Sequence, residues 1–441
     1  MTSPHVFVTM GNLLHFQCDA WLLPTDARLN INPIWTAELH QLKAAIARTD
    51  TSAMRHGSEY ACAVSDWGQS EPMPVLTTVP LQGVSNADEL RPHFKAFLET
   101  AAKAVAKQRR TKRPLPLLAV PLFGTGHAAG GIYRGDILRA LLEEANEAAK
   151  QYKVDVAFVL QDSAAYSLAQ QIRKEDPAIS WSTLSAGLRD QVLELAAKAK
   201  QDKLVPFMGA GVSISAGAPT WEDLLKILAN KLSLVDGERI NLESVKSTVD
   251  RATIIKSIFT EKQARSEQNE SFGQFVASHV NVRRYGLAPA LIVGIGSQAA
   301  ITLNYDTLYE NAAKDAGVPA TVIPDDISTD SDRWLLKLHG SITSPDSIVL
   351  TRDDYLGYSS NRQALTSLVK AHLLTHHLLF IGFGLADDHF HEIIFDVRQA
   401  LPETRNHEFG TVLALQDDPL QRHLWKSPLR QAGCESFVSF D

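Results

Sequence analysis

The chain has 441 residues, 45% of them hydrophobic, and carries 43 basic and 50 acidic side chains for a net charge of −7. That length predicts two or three domains of ordinary globular composition, and the acidic balance argues against a protein that coats nucleic acid. The three cysteines, Cys18, Cys62 and Cys434, lie far apart; they rule out a four-cysteine zinc site within one chain, argue against a disulfide framework and fit a reducing compartment. The start, "MTSPHVFVTMGNLL", has no basic leader, and no run reaches the roughly 18 apolar residues of a membrane span. The expectation is a cytoplasmic protein that contacts neither membrane nor nucleic acid.

The first half alternates strands and helices. Apolar runs at 5–10, 19–24, 74–81, 115–122 and 154–160 read as strands, and 91–108 and 136–152 read as helices. Such alternation predicts an α/β fold, a mostly parallel sheet flanked by helices. The basic run "KQRRTKRP" at 107–114 sits between a helix and a strand and reads as a solvated loop. The first domain is expected over 1–172. A polar, aperiodic stretch at 173–187 reads as a linker, and a helix at 188–201 follows.

The second domain, 188–441, repeats the alternation. Its expected strands are 203–209, 298–304, 334–340, 377–384, 411–415 and 435–440. A long excursion over about 222–297 reads as wholly helical and is inserted between the first two of them. Within "LVPFMGAGVSISAGAPTWEDLL" (204–225), a strand feeds Gly209, Ala210 and Gly211, and a helix opens near Thr220. Thr220 is placed to cap that helix, with Asp223 closing a capping box. Glycines let a backbone approach a pyrophosphate, which amide hydrogens and a helix N-terminus then hold. On its own, such a turn is as well explained by a tight reversal of the chain.

Three further stretches end apolar strands in polar residues. They are "ITLNYDTLYE" with Asn304 and Asp306, "WLLKLHGSI" with His339, Gly340 and Ser341, and "LLFIGFGLADDH" with Gly382, Gly384, Leu385 and Asp387. In an open parallel sheet the carboxyl ends of strands share one edge, which is where ligands bind. Asp387 is also placed to cap the helix after it. The histidines of "HLLTHHLL" (372–379) and "DDHFHE" (387–392) read as structural, because no carboxylate or cysteine stands clearly with them, and no metal is expected.

"GAGVSISAGAP", "TLNYD", "KLHGS" and "GFGLADD", in this order, resemble the sirtuin signature. The resemblance implies a Rossmann-type domain that takes NAD⁺ as substrate. It implies that Gly209, Ala210, Gly211 and Ser213 line the dinucleotide phosphates and ribose, and that Asp306 lies by the carboxamide. It further implies Gly340, Ser341, Gly382, Gly384, Leu385 and Asp387 around the ligand, with Asn304 and His339 as catalytic residues. The zinc ribbon of the family's protein deacylases has no counterpart in the helical insertion. The pattern therefore resembles the sirtuin-like NAD hydrolases of bacterial anti-phage defence. That likeness implies a homo-oligomer paired with a HerA-type hexameric ATPase. A protein deacylase or ADP-ribosyltransferase, and a non-catalytic sensor of NAD⁺ or ADP-ribose, remain the alternatives.

"LAVPLFGTGHAAGGIYRGDILRALLEEA" (118–145) and the opening "VFVTMGNLLHFQCDAWLLPTDARL" (6–29) resemble a macro domain. Asn12 stands where that family favours an acid, and "LPTDARL" departs from its Asn-rich loop. The expectation is a macro-like, Rossmann-like scaffold that mediates assembly rather than an intact ADP-ribose site.

Overall fold

The computed structural model describes residues 3–68, 70–80, 83–125, 133–176, 184–234, 241–265, 269–327, 331–385, 387–401, 408–414 and 429–433. The chain forms two compact units. Among the described residues, one holds those up to Arg189 together with Arg284–Gly294, and the other holds Asp190–Arg283 and those from Ile295 to Gly433. Among the described residues no helix is long and apolar enough to cross a membrane.

The first unit is built on strands β1 (Val6–Met10), β2 (Ala20–Thr25), β3 (Ala61–Ala63), β4 (Met73–Thr78), β5 (Leu117–Val120) and β6 (Asp155–Leu160). Their order is β1-β6-β5-β2-β4-β3, parallel except for β3, which runs antiparallel to β4. Helices Arg91–Lys107 and Arg134–Tyr152 bury one stripe each; Phe94, Phe97, Ile137 and Leu141 meet Phe158 of β6 in the core. The segment 284–294 joins this unit by burying Tyr285 edge-on against Phe16, ring centroids 6.0 Å apart.

The basic run is a loop, as expected, with Lys107, Arg109, Lys112 and Pro114 exposed, but it is tied down at Asp19 and Arg113 is buried. Fully buried Asp19 accepts from the amides of Arg110 (2.6 Å), Thr111 (2.9 Å) and Leu117 (2.8 Å) and from the Thr111 hydroxyl (2.7 Å). Arg113 pairs with Asp155 at 2.7 Å, both buried. A buried carboxylate needs such donors, and the basic segment supplies them. Asn12 caps a short helical turn at Leu13–His15, its oxygen accepting from the Leu14 amide at 3.0 Å. Most of the glycine-rich loop likened to a macro domain, 126–132, lies outside the described residues.

The second unit contains β7 (Leu204–Met208), β8 (Ala299–Thr302), β9 (Thr321–Ile323), β10 (Trp334–Lys337), β11 (His377–Ile381), β12 (Gly410–Ala414) and β13 (Leu429–Gly433). All pairs are parallel, in the order β13-β12-β11-β7-β8-β10-β9. The chain starts in the middle, at β7, builds toward one edge and then crosses back to β11. The carboxyl ends of β7 and its two neighbours therefore form the switch point of the sheet, where open α/β folds bind ligands. The expected strand at 435–440 lies outside the described residues. Phe207, Phe380 and Phe390 anchor the core, with centroids 5.2 Å apart in each pair.

Helices Trp221–Lys231, Thr248–Gln263 and Phe272–Val280 follow β7 and bury Leu224, Leu228, Ile255, Phe259 and Val276 in a cluster of their own. Thr220 caps the first, accepting from the Asp223 amide at 3.1 Å. The expected capping box is not closed. The Asp223 carboxylate instead accepts from the Thr220 hydroxyl at 2.9 Å.

Candidate active site

Strand register builds the site. Met208 pairs with Thr302 and with Ile381, and Thr302 pairs with Lys337. Ala210, Asn304, His339 and Phe383 each lie two residues beyond these pairs, in the loops that leave the carboxyl ends of four adjacent strands. Neighbouring strands lie about 4.8 Å apart, so Asn304 and His339 share one rim.

The glycine loops after β7 and β11 are laced together. The Gly209 amide donates to the Ile381 carbonyl at 3.0 Å, and the Gly211 amide to Gly382 at 2.9 Å. A Cβ on Gly209 would sit 2.5 Å from the Gly382 oxygen, and one on Gly211 2.7 Å from the Gly382 Cα. Gly382 has φ +60°, and its own Cβ would meet the Val212 nitrogen at 2.5 Å. These glycines permit close approach of two backbones, and the Gly209 and Gly211 amides are taken by that contact rather than left for a diphosphate. A four-residue helix, Gly211–Ile214, begins at once, ahead of the helix expected near Thr220.

Asn304 is tied to the same loop. Its Nδ2 donates to the Gly209 carbonyl at 2.9 Å and to Ser213 Oγ at 3.1 Å. Ser213 donates onward to Asp306 Oδ2 at 2.7 Å, and Asp306 Oδ1 accepts from the Leu308 amide at 3.0 Å. Both amide protons of half-buried Asn304 are engaged, so its Oδ1 is the side-chain atom left to accept from a ligand.

Lys337, invisible to the sequence reading, holds this loop from below. Only 1% exposed, it donates to Glu310 at 2.8 Å, to the Tyr305 carbonyl at 3.2 Å and to the Asp306 carbonyl. Burial raises the Glu310 pKa, and the ammonium of Lys337 opposes the rise. The only sequence signal was a lysine inside the apolar run "WLLKL".

His339 follows β10 and is buried. Burial, first of all, lowers its pKa to about 4; the Asp387 carboxylate opposes this, and His389 and Arg362 add to it. The imidazole is therefore neutral near pH 7. Its Nε2 lies 3.7 Å from Asp387 Oδ2 and 3.5 Å from His389 Nδ1. Asp387 caps helix Asp388–Gln399, accepting from the Phe390 amide at 3.0 Å, and also accepts from the Tyr355 hydroxyl at 3.0 Å. Tyr355 and Tyr358 stack on either side of His389, with centroids 4.3 and 3.8 Å away. Arg362 donates to the Leu338 carbonyl at 2.8 Å, fixing the backbone beside His339.

The other expected site residues divide. Gly340, with φ +89°, lets the chain turn where a Cβ would fall 2.2 Å from the Ser347 carbonyl. Ser341 is buried, with its amide on Ser347 Oγ at 3.1 Å and its hydroxyl on Thr343 at 2.6 Å. Leu385 packs in the core of the sheet, whereas Gly382 and Gly384 are exposed. Of the remaining histidines, His372 and His376 face each other at 3.1 Å, and His391 contacts the Leu385 carbonyl at 3.0 Å.

Comparison with known proteins places one family match on this unit. Residues 298–431 match the SIR2-like domain family. The chain is 27% identical over 225 residues to "Defense-associated sirtuin 2" of Bacillus subtilis, covering 47% of this chain and 20% of that protein. It is 30% identical over 210 residues to "NAD(+) hydrolase ThsA" of Enterococcus faecium, covering 45% of this chain and 41% of that one. The chain thus spans about a fifth to two-fifths of the length of the curated relatives it matches. A solved macrodomain of Oceanobacillus iheyensis with MES bound matches 38% of the chain and 89% of that structure, at 14% identity and a TM-score of 0.28, too slight a likeness to carry an argument. The likeness that remains is to sirtuin-type proteins, and the family match takes in Asn304, His339 and Asp387.

Proposed function

We propose that the second unit hydrolyses NAD⁺ to ADP-ribose and nicotinamide, depleting the cellular pool as an effector of anti-phage defence. The observation that carries this reading is that Asn304 and His339 each follow, two residues on, the paired carboxyl ends of neighbouring parallel strands, Thr302 of β8 and Lys337 of β10. Two relatives whose names state NAD(+) hydrolysis or defence support it. In NAD⁺ the leaving group is a cationic pyridinium. The bond from ribose C1′ to the ring nitrogen breaks, its electron pair goes to the ring, and neutral nicotinamide departs without a general acid. Water then bonds to C1′ of an oxocarbenium-like ribose. Asn304 Oδ1 accepts from that water and orients it. His339 takes the proton, and Asp387, 3.7 Å away, stabilises the imidazolium that forms. Ala210, Gly211 and Ser213 line the dinucleotide, with Asp306 supporting Ser213.

The same reading takes the protein as a homo-oligomer docked on a HerA-type hexameric ATPase, an arrangement that restrains a harmful activity; this rests on the sequence resemblance alone. The test is direct. Purified chain, with and without such an ATPase, is incubated with NAD⁺ and nicotinamide is followed, in the presence and absence of an acetyl-lysine peptide. Release without peptide is expected. Release that requires the peptide would replace the hydrolase with a deacylase, and binding without release would replace it with a sensor.

A further inference from the structure

The side chains of His339, Asp387 and His389 converge on one point. Each offers one ligand atom, and the three atoms all lie within 4.8 Å of one another. His339 Nε2 is 3.5 Å from His389 Nδ1 and 3.7 Å from Asp387 Oδ2. Around a tetrahedral zinc, ligands at about 2.0–2.2 Å stand about 3.3–3.6 Å from each other. Two of the three separations are thus already close to those of a tetrahedral site, and the third pair lies within 4.8 Å. Two imidazoles and one carboxylate are also the donor set that zinc enzymes use when a fourth position stays open.

The groups behind these ligands fit the same role. His389 Nε2 donates to the Tyr355 carbonyl at 3.1 Å, which leaves Nδ1 with its lone pair toward His339. Its ring is clamped between Tyr355 and Tyr358. Asp387 is fixed through both oxygens, by the Phe390 amide and the Tyr355 hydroxyl. His389 Nδ1 and Asp387 Oδ2 are thus both acceptors, and a proton on His339 Nε2 can serve only one of them at a time. A cation satisfies all three at once.

We propose that His339, Asp387 and His389 bind a divalent transition-metal ion of the zinc class, and that the bound ion inhibits the enzyme by taking the His339 lone pair away from catalysis. The inhibition rests on the hydrolase reading above, whereas the binding does not. In solution the competing donors among the described residues include the His372–His376 pair, 3.1 Å apart.

Cobalt(II) is the probe, because tetrahedral coordination by nitrogen and oxygen gives intense visible bands. The full chain is titrated with cobalt chloride, as are Asp387→Asn, which keeps a cap, and His389→Phe, which keeps the ring stack. A His372→Gln/His376→Gln variant serves as control, and circular dichroism checks that every variant is folded. The wild type and the control should show the bands at one ion per chain, and the two site variants should bind about 100-fold more weakly or worse. A wild type without bands, or site variants that keep them, would overturn the proposal. Zinc added to wild type at the titrated affinity should then suppress nicotinamide release, and a chelator should restore it. Full activity with the ion bound would overturn the inhibitory part. If no NAD⁺ is cleaved under any condition, the hydrolase reading fails while the cobalt result stands by itself.

Discussion

Replacing Lys337 with methionine tests how the floor of the site is held. The substitution keeps the length of the side chain and removes the ammonium. Glu310 is then left with a side chain 16% exposed and no cation, and the Tyr305 and Asp306 carbonyls lose a shared donor. Removing one partner of a buried pair costs about 3–5 kcal/mol, and that is the expected loss in a denaturant titration of the intact chain. A double variant, Lys337→Met/Glu310→Gln, no longer strands a charge. It should recover all but about 1–2 kcal/mol, the share of the carbonyl contacts. Nicotinamide release should fall about 10²-fold in both variants, because a loop that shifts by an ångström misplaces Asn304. A single variant within about 1 kcal/mol of wild type, or a double variant no more stable than the single one, would refute the assignment of Lys337 as the strut of this loop.

Asn304→Ala should lower the turnover rate by about 10²–10⁴-fold with little change in NAD⁺ affinity; parallel losses in rate and affinity, measured by single-turnover kinetics and calorimetry, would argue for a binding role alone. The pH profile should lack a histidine step at its usual place. With a folded pKa of about 4, His339 stays neutral down to that pH, so the acid limb of kcat/KM should appear there, and half-loss near pH 6.5 would contradict the buried, neutral base. The same shift predicts that stability declines as pH falls from about 6.5, where the unfolded imidazole takes a proton, toward 4, where the folded one does, and this is measurable by denaturation at stepped pH. Gly382→Ala should destabilise the second unit and abolish release, since a Cβ 2.5 Å from the Val212 nitrogen forces the two glycine loops apart; a variant with wild-type melting would show that the loops tolerate separation.

Much of this architecture was legible because apolar runs ending in polar residues mark the carboxyl ends of buried strands. The positions of Asn304 and His339 just past β8 and β10 were legible that way. Other elements escaped for physical reasons. Ala61–Ala63 and Thr321–Ile323 are too short to show a period, and Leu429–Gly433 is a polar edge strand. The anchoring of the basic run at 107–114 was not legible, because its partner, Asp19, lies some ninety residues away in the chain. Tyr355, Tyr358 and Arg362 come from two short helices and the residue after them, and only tertiary packing brings them to His339. The glycines at 209, 211 and 382 were noticed as ligand-facing, whereas their tightest constraint is each other.

The return of Arg284–Gly294 to the first unit has a practical consequence for dissecting the molecule. A truncation after residue 189 deletes Tyr285 and uncovers the pocket that Phe16 and Gly11 make for it. A fragment starting at 190 keeps that tyrosine, along with Leu287, Ile292 and Val293, but has lost their seat. Neither half is a clean excision, so activity mapped by simple deletion would report damage rather than division of labour. A fair dissection would graft the 284–294 peptide back onto the amino-terminal piece and bridge the gap it leaves with a short flexible spacer.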